Sequence, residues 1–522
     1  LAEWPTSVFR SISTARTNDM NIALKVLLVL LILTLQEPLA YSQRYVDVLF
    51  PEVQVDRNIT YGENFTVMTG IPPSLEDLKM DVYSPVGDTA QDRFLILMAH
   101  SGSWFPKGVN TLPYGEKSDS SMIALCTEFA KRGWVAASID YRLGWNPTPD
   151  ILGGNQELRA RSIIQAVYRT MQDMKTAIRY FRKDEAGPNT YRIDPTKIVA
   201  AGTGSGAYAV VACASLNKVS ELNLFKLLST NGKPYVSIDT LGDFEGFGGD
   251  PNWNKANHEG YSSDFRLVLN LEGAVGDSSW IEPGEPPMVN MSGVDNALIP
   301  YKTKVGVIVT TGDPIISVSG AYVIAQEGTK HGNTTVWDTV NWADPYTARA
   351  KSLESFEGLF PFLGEENAYE AWAWYDPNDP YTVDSVELSP GNWVQGTGYG
   401  TSSNPFASRE KAYRYIDTIM NYFTPRALKV LGSEPVGVEP QHHSGGFRVY
   451  EKNGNSWVVS EDQEDLEIYR LYDITGGLLK EGIVNDLGFE LPTLEGNCLY
   501  ILGVKKGGIW QSRKYFKQLV EK

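Results

Sequence analysis

The chain has 522 residues, 42% hydrophobic and 21% charged, with 13 Trp, 27 Tyr and 19 Phe, enough apolar material for a sizeable core and against wholesale disorder. At roughly 150 residues per domain the length allows three or four domains, but α/β enzymes often pass ~250 residues as one unit, so two large pieces fit equally well. The 63 acidic against 46 basic side chains leave a net charge of −17, which repels nucleic-acid phosphates and anionic lipid, and three cysteines without C-x-x-C spacing exclude a disulfide framework and argue against zinc or thiol-redox chemistry.

Near the start, the apolar run Val26–Leu35 follows Lys25 and precedes Ala40-Tyr41-Ser42. A spanning helix needs ~20 apolar residues, so this shorter run reads as a secretory signal peptide over 20–42, cleaved after Ser42. Met20 then is the start and 1–19 upstream translation; the other reading is a buried helix of the domain. No membrane-spanning segment is expected once the signal is removed.

From residue 43 onward, short apolar runs at 78–83, 94–98 and 134–139 read as strands, the last two covered on both faces. Between them 121–132 has helical spacing and ends at Gly133. Ile163, Ile164, Val167, Met171, Met174, Ile178 and Phe181 mark one face of a long helix that stops near Ala186-Gly187-Pro188. A strand at 197–201, a helix at 207–216 and strands at 267–271 and 305–310 continue the alternation. The expected fold class is α/β, a mostly parallel doubly wound sheet with helices on both faces, over residues 43–431.

Two long insertions, 217–264 and 329–405, interrupt it. The second holds Trp337, Trp342, Trp372, Trp374 and Trp393, which line an aromatic cleft or build a local core under the loop. A helix at 409–421 precedes Pro425. Residues 432–446 have linker composition, and 447–522 reads as short strands separated by turns at Thr475-Gly476-Gly477, Glu495-Gly496-Asn497 and Lys506-Gly507-Gly508, a small all-β sandwich.

Chemistry concentrates at two strand ends. Phe94 to Trp104 places His100, Ser101, Gly102 and Ser103 in a turn after a strand, where esterases aim backbone N–H groups at a developing oxyanion. Lys197-Ile-Val-Ala-Ala-Gly202-Thr-Gly204-Ser205-Gly206 has the strand–turn–helix form of a nucleophile elbow. In the G-x-S-x-G pattern laid on Gly202 and Gly206, the nucleophile position is Gly204, and serine stands one step later, at Ser205. Either the register shifts, with Thr203 and Ala207 as flanking residues, or Ser205 merely starts the helix.

Together with Glu128–Leu143, Gln172-Asp173 and Ile193–Val199, these motifs resemble the carboxylesterase and feruloyl-esterase-like branch of the α/β-hydrolase fold. The resemblance runs from Asp92 to Tyr208 and more loosely over 75–430. It implies a catalytic acid in the Thr311-Gly312-Asp313-Pro314 turn, the alternative being that Asp313 caps a helix. A serine becomes nucleophilic only beside an imidazole held by a carboxylate. By chain order His331 is the candidate base; His258 would have to reach in from the first insertion, and His442 and His443 sit in the linker. A lone His is more often structural or solvated.

Asp243, Asp250, Asp264, Asp376 and Asp379 read as solvated loop carboxylates, without a calcium-loop pattern. No metal or cofactor motif appears.

Leu466 to Lys514, with Asp473-Ile-Thr-Gly476, Leu491-Pro, Gly496, Tyr500 and a basic end, resembles the C-terminal sorting domain of type IX secretion cargo. That implies the type IX secretion machinery as partner and a secreted or outer-surface location in a Gram-negative bacterium. The other reading is an accessory β-domain.

Two functions therefore stay open. One is a carboxylesterase acting on small or polymeric esters, with Ser205 attacking the carbonyl, Asp313 orienting His331, and the backbone of Ser101, Gly102 and Ser103 holding the oxyanion. The other is a non-catalytic member of the fold that binds a ligand in its cleft.

Overall fold

The computed structural model describes residues 43–432 and 447–517, less short stretches of one to six residues, among them 309–311, 364–368 and 492–497. The signal segment 20–42, the linker from 433 to 446 and the turns at 475–477, 495–497 and 507–508 lie outside the described residues.

The strands of the first unit are β1 (Val53–Thr66), β2 (Ser74–Pro85), β3 (Arg93–Ala99), β4 (Val135–Ile139), β5 (Ile193–Thr203), β6 (Leu267–Leu271), β7 (Met288–Gly293), β8 (Thr303–Val307), β9 (Pro314–Ser319) and β10 (Leu359–Phe362). Eight of them form one sheet in the order β1-β2-β4-β3-β5-β6-β7-β10. From β4 to β10 every neighbour is parallel, and β2 runs antiparallel to both β1 and β4.

Why the middle strands read as unbroken apolar runs is plain in β3. Phe94, Ile96 and Met98 enter one core cluster, while Leu95, Leu97 and Ala99 enter the other. Helices α1 (Ser120–Lys131), α2 (Gln156–Glu185), α3 (Gly204–Ser215), α4 (Ala321–Lys330), α5 (Pro345–Leu353) and α6 (Arg409–Leu431) supply the cover. Core residues of α2 and α3 belong to one cluster, those of α1 and α6 to the other. This mostly parallel sheet between helices is consistent with the α/β-hydrolase fold.

Two expectations change. Residues 305–310 were expected to add a strand to the main sheet. Instead β8 pairs antiparallel with β9 in a separate two-stranded sheet, and β8 is largely exposed along its length rather than covered on both faces. The last two strands of the main sheet are β7 and β10. The final helix does not stop before Pro425: α6 runs on to Leu431 and ends at left-handed Gly432 (φ 71°). Burial of Ala427, Leu428 and Leu431 in the core offsets the ~3 kcal/mol that an interior proline costs. Of the two readings of the second insertion's tryptophans, the described ones follow the core reading. Trp337 and Trp372 are buried in the α1–α6 core, and Trp342 and Trp374 pack against it, while the side chain of Trp393 lies outside those described.

The first insertion is strapped to α2, where the Glu245 carboxylate accepts from Lys175 at 2.6 Å and Arg179 at 2.9 Å. Its Asp243 and Asp250 side chains accept backbone N–H groups of their own loops. A short hairpin of β11 (Ser385–Ser389) and β12 (Asn392–Gln395) follows in the second insertion.

Beyond the linker stand β13 (Phe447–Lys452), β14 (Asn455–Ser460), β15 (Leu466–Asp473), β16 (Leu478–Asp486), β17 (Gly488–Glu490), β18 (Cys498–Lys506) and β19 (Ile509–Lys517). They make a β13-β14-β17 sheet and a β16-β15-β18-β19 sheet, both antiparallel, around a core of their own that includes Phe447, Val458, Leu471 and Leu502. Among the described residues no helix is long and apolar enough to cross a membrane.

Candidate functional site

The sharp bend between β5 and α3 falls at Gly204, whose φ of 47° lies in the left-handed region that favours glycine. Strand and helix are pinched together there. A methyl at Gly202 would meet the backbone of Gly206 at 2.6 Å, and one at Gly206 would run into the carbonyl oxygens of Ala99 and His100 at the end of β3. The Gly202–Gly206 frame is thus a packing requirement, and Gly204 occupies the strained position between its walls.

What fills the space above Gly204 was not expected. A side chain built there would overlap the hydroxyls of Tyr369 and Ser101, with a carboxylate oxygen of Glu370 at 3.1 Å. Those two hydroxyls share a hydrogen bond of 2.7 Å. Ser205 lies one residue on, inside the first turn of α3, and its Oγ accepts from the Ser103 N–H at 3.1 Å. The backbone group expected to hold an oxyanion therefore faces the serine itself. The loop carrying it is bent at Gly102, Ser103 and Trp104 (φ 127°, 53° and 59°), and Asn110 Nδ2 clamps it by donating to the carbonyls of Gly102, Phe105 and Tyr114 at 2.8–3.1 Å.

Ser205 and Ser103 form part of the wall of a cavity of about 370 Å³. The β8–β9 hairpin contributes Ile308, Ile315 and Ile316, α2 contributes Ile163 and Val167, and the first insertion contributes Leu222, Leu227 and Val236. Among the described residues of the wall there is no Asp, Glu, Lys, Arg or His.

The three residues expected to act together are not brought together. Asp313 sits beside the hairpin turn, and its carboxylate pairs with Arg159 of α2 at 2.6–2.7 Å. His331 caps the C-terminus of α4, with Nε2 3.5 Å from Glu327. Each is held by a charged neighbour of its own, and neither lines the cavity that Ser205 faces. His258 Nε2 is 2.7 Å from the Tyr61 carbonyl. His442 and His443 lie outside the described residues. His100 is wholly buried, its ring stacked on Tyr141 and its Nδ1 2.5 Å from the Ser101 carbonyl, so Nδ1–H is the donor. Burial pushes the His100 pKa down, against the opposing charge of Asp140.

Three buried carboxyls near the elbow were not singled out from the sequence. Burial, followed by the charge of Glu272, pushes Glu370 up to about 8 against the opposing hydroxyls of Ser101 and Thr203. Glu272 is pushed to about 7 by burial although it accepts the Glu370 N–H at 2.9 Å. Asp119 is likewise raised to about 7 by burial, although the N–H groups of Glu116 and Gly115 lower it. Their titrations are coupled, and near neutral pH the cluster holds protons. Glu272 had a signal in the sequence: it directly follows β6, at the strand edge where sites of parallel sheets gather. Tyr369 and Glu370 had none, since only folding carries that part of the second insertion to Gly204.

No family description matches this chain, and no curated protein does. Solved structures of esterase 2 from Thermogutta terrifontis are similar to it. The form phosphorylated by paraoxon is 20% identical over 54% of this chain and 80% of that one, with a TM-score of 0.30. The native form is 18% identical over 62% and 85%, with a TM-score of 0.30, and the butyrate-bound form 17% identical over 62% and 88%, with a TM-score of 0.32.

Chemically, among the described residues, the elbow offers hydroxyls and buried carboxyls whose pKa values are raised. Among the described residues, the adjoining cavity offers a mainly apolar wall without charged side chains. That combination suits holding a neutral apolar molecule, since a bound charge would lose its hydration without gaining a partner.

Proposed function

We propose that this is an α/β-hydrolase-fold protein that binds an apolar small molecule in the cavity beside the elbow and does not cleave esters by a serine–histidine relay. The observation that carries this reading is Gly204 at the left-handed bend, with the space for a nucleophile's side chain taken by the Tyr369 and Ser101 hydroxyls. A second reading, ester hydrolysis through Ser205, is favoured by one contact: its Oγ lies on the cavity wall beside the Ser103 N–H.

A fluorophosphonate label and a short-chain p-nitrophenyl ester separate them, each run against Ser205→Ala. The binding reading expects no label and hydrolysis equal to buffer for both proteins, together with saturable uptake of a neutral apolar dye such as Nile red. Labelling and turnover that vanish in Ser205→Ala would establish the second reading and remove the first.

We infer further that residues 447–522 act as an export signal read by type IX secretion machinery, delivering the protein outside a Gram-negative cell. Support comes from the Asp473-Ile-Thr-Gly476 and Leu491-Pro pattern and from a unit with its own core.

A further inference from the structure

Helix α3 leaves the elbow and carries a line of wall residues with it. Ser205, Tyr208, Ala212 and Leu216 all border the cavity, and steps of three and four put them on one face of the helix, with Leu216 as its C-terminal cap. The cavity therefore follows α3 along its length. At roughly 1.5 Å of rise per residue, Ser205 and Leu216 stand about 16 Å apart.

The two ends of that line differ. Past Leu216 the chain runs directly into Leu222 and Leu227, which also belong to the wall, and all three are only 3–4% exposed, so this end is apolar and shut. At Ser205 the wall continues in the loop clamped by Asn110, through Ser103 and Val109, and Val109 is 61% exposed. That end opens to solvent. Tyr208 stands one turn on from Ser205, its ring edge-on to Trp104 with centroids 6.4 Å apart. It is only partly buried, and its hydroxyl is neither sealed in the core nor hydrogen-bonded among the described residues. The wall hydroxyls of Tyr168 and Tyr369, by contrast, are engaged with the Gly242 carbonyl and the Ser101 hydroxyl.

An extended alkyl chain advances about 1.3 Å per carbon, from C–C bonds of about 1.5 Å at a near-tetrahedral angle, so the span along α3 corresponds to about twelve carbons. The volume agrees: about 370 Å³ has room for about twelve groups of ~30 Å³, the share of one water and close to that of a methylene. We propose that the cavity takes an uncharged, unbranched single-chain amphiphile of about twelve carbons, a fatty alcohol in chemical class, with its polar end at Tyr208 and its tail along α3 toward Leu216. The inference rests on the binding reading above and adds the ligand's shape and class. A phenol hydroxyl both donates and accepts, which matches a hydroxyl head, whereas a charged head would find no countercharge on the described wall. Ala212 lies between the two ends, and its small side chain lets the tail pass.

The test uses the full chain loaded with Nile red and displaced by straight-chain alcohols from hexanol to hexadecanol. Affinity should tighten about twofold to fourfold per added carbon and stop gaining near dodecanol. A highly branched alcohol with as many carbons as dodecanol should bind about tenfold more weakly than dodecanol. Ala212→Leu should leave hexanol unchanged and bring the stop down to about eight carbons, the length from Ser205 to that position. Tyr208→Phe should weaken every alcohol by about threefold to tenfold and leave dodecane unchanged. Affinity that keeps rising through hexadecanol, equal binding of the branched isomer, or either folded variant behaving like the parent overturns this inference while the binding reading stands. If neither Nile red nor any alcohol binds, both fall. The alcohol series on the unaltered protein needs no variant, so it decides even if a substitution impairs folding.

Discussion

A single missing side chain governs the chemistry at the elbow. Restoring serine at Gly204 would force a Cβ into the Tyr369 and Ser101 hydroxyls and into a left-handed conformation at once. Overpacking and that backbone penalty together set the expected loss at about 2–4 kcal/mol, measured by urea unfolding, with no ester hydrolysis gained. The neighbouring Glu370 makes a pH prediction. Its folded pKa of about 8 lies well above the ordinary glutamate value, so between the two the folded state holds a proton that the unfolded state has lost. Stability therefore falls as pH rises from the unfolded value through the folded one. Between pH 5 and 8 the melting temperature should decline, levelling off above the folded value, and Glu370→Gln, which has no proton to lose, should decline less. An unchanged slope in that variant would show that Glu370 is not the group responsible.

At the scale of elements, the cavity depends on how α2 is seated. Arg142, just past β4, donates through Nε and its backbone N–H to Asp173 at 2.7–3.0 Å, and another guanidinium N–H reaches Gln172 at 3.0 Å. Gln172 in turn donates to the carbonyls of Leu241 and Asp243 in the first insertion at 2.8 Å. One turn of α2 thus fastens the sheet on one side and the insertion on the other, which accounts for the Gln172-Asp173 pair noticed in the sequence. Both Arg142 and Asp173 are buried, so Asp173→Ala leaves an uncompensated guanidinium and should cost about 3–5 kcal/mol in urea. Nile red uptake should weaken with it, because Ile163 and Val167 of α2 belong to the wall.

For the whole molecule, the decisive feature is that two sets of apolar residues close on themselves. The main sheet is cored on both faces by its own helices, and the C-terminal strands share a separate small core. Removing residues 433–522 should therefore leave the thermal transition and Nile red binding of the first unit unaltered. In the producing cell the same deletion should stop the protein inside the outer membrane. Export of the truncated chain would overturn the sorting role, and loss of dye binding by it would mean that the cavity depends on the second unit.

The sequence by itself determined the elements whose signal is local. The strand runs at 94–98, 134–139 and 267–271 fall in β3, β4 and β6, because burial on both faces demands a continuous apolar run. Helical spacing found the middle of α2, and the glycines of the elbow marked where strand and helix pinch. Tertiary structure alone decided the rest. It set the hairpin of β8 and β9 apart from the main sheet, carried α6 through Pro425, and sent Asp313 to Arg159 and His331 to a place beside Glu327. It also placed Tyr369 and Glu370 over Gly204. A periodic pattern reports how one segment meets water and core, whereas the occupant of a given space is chosen by every segment that can reach it.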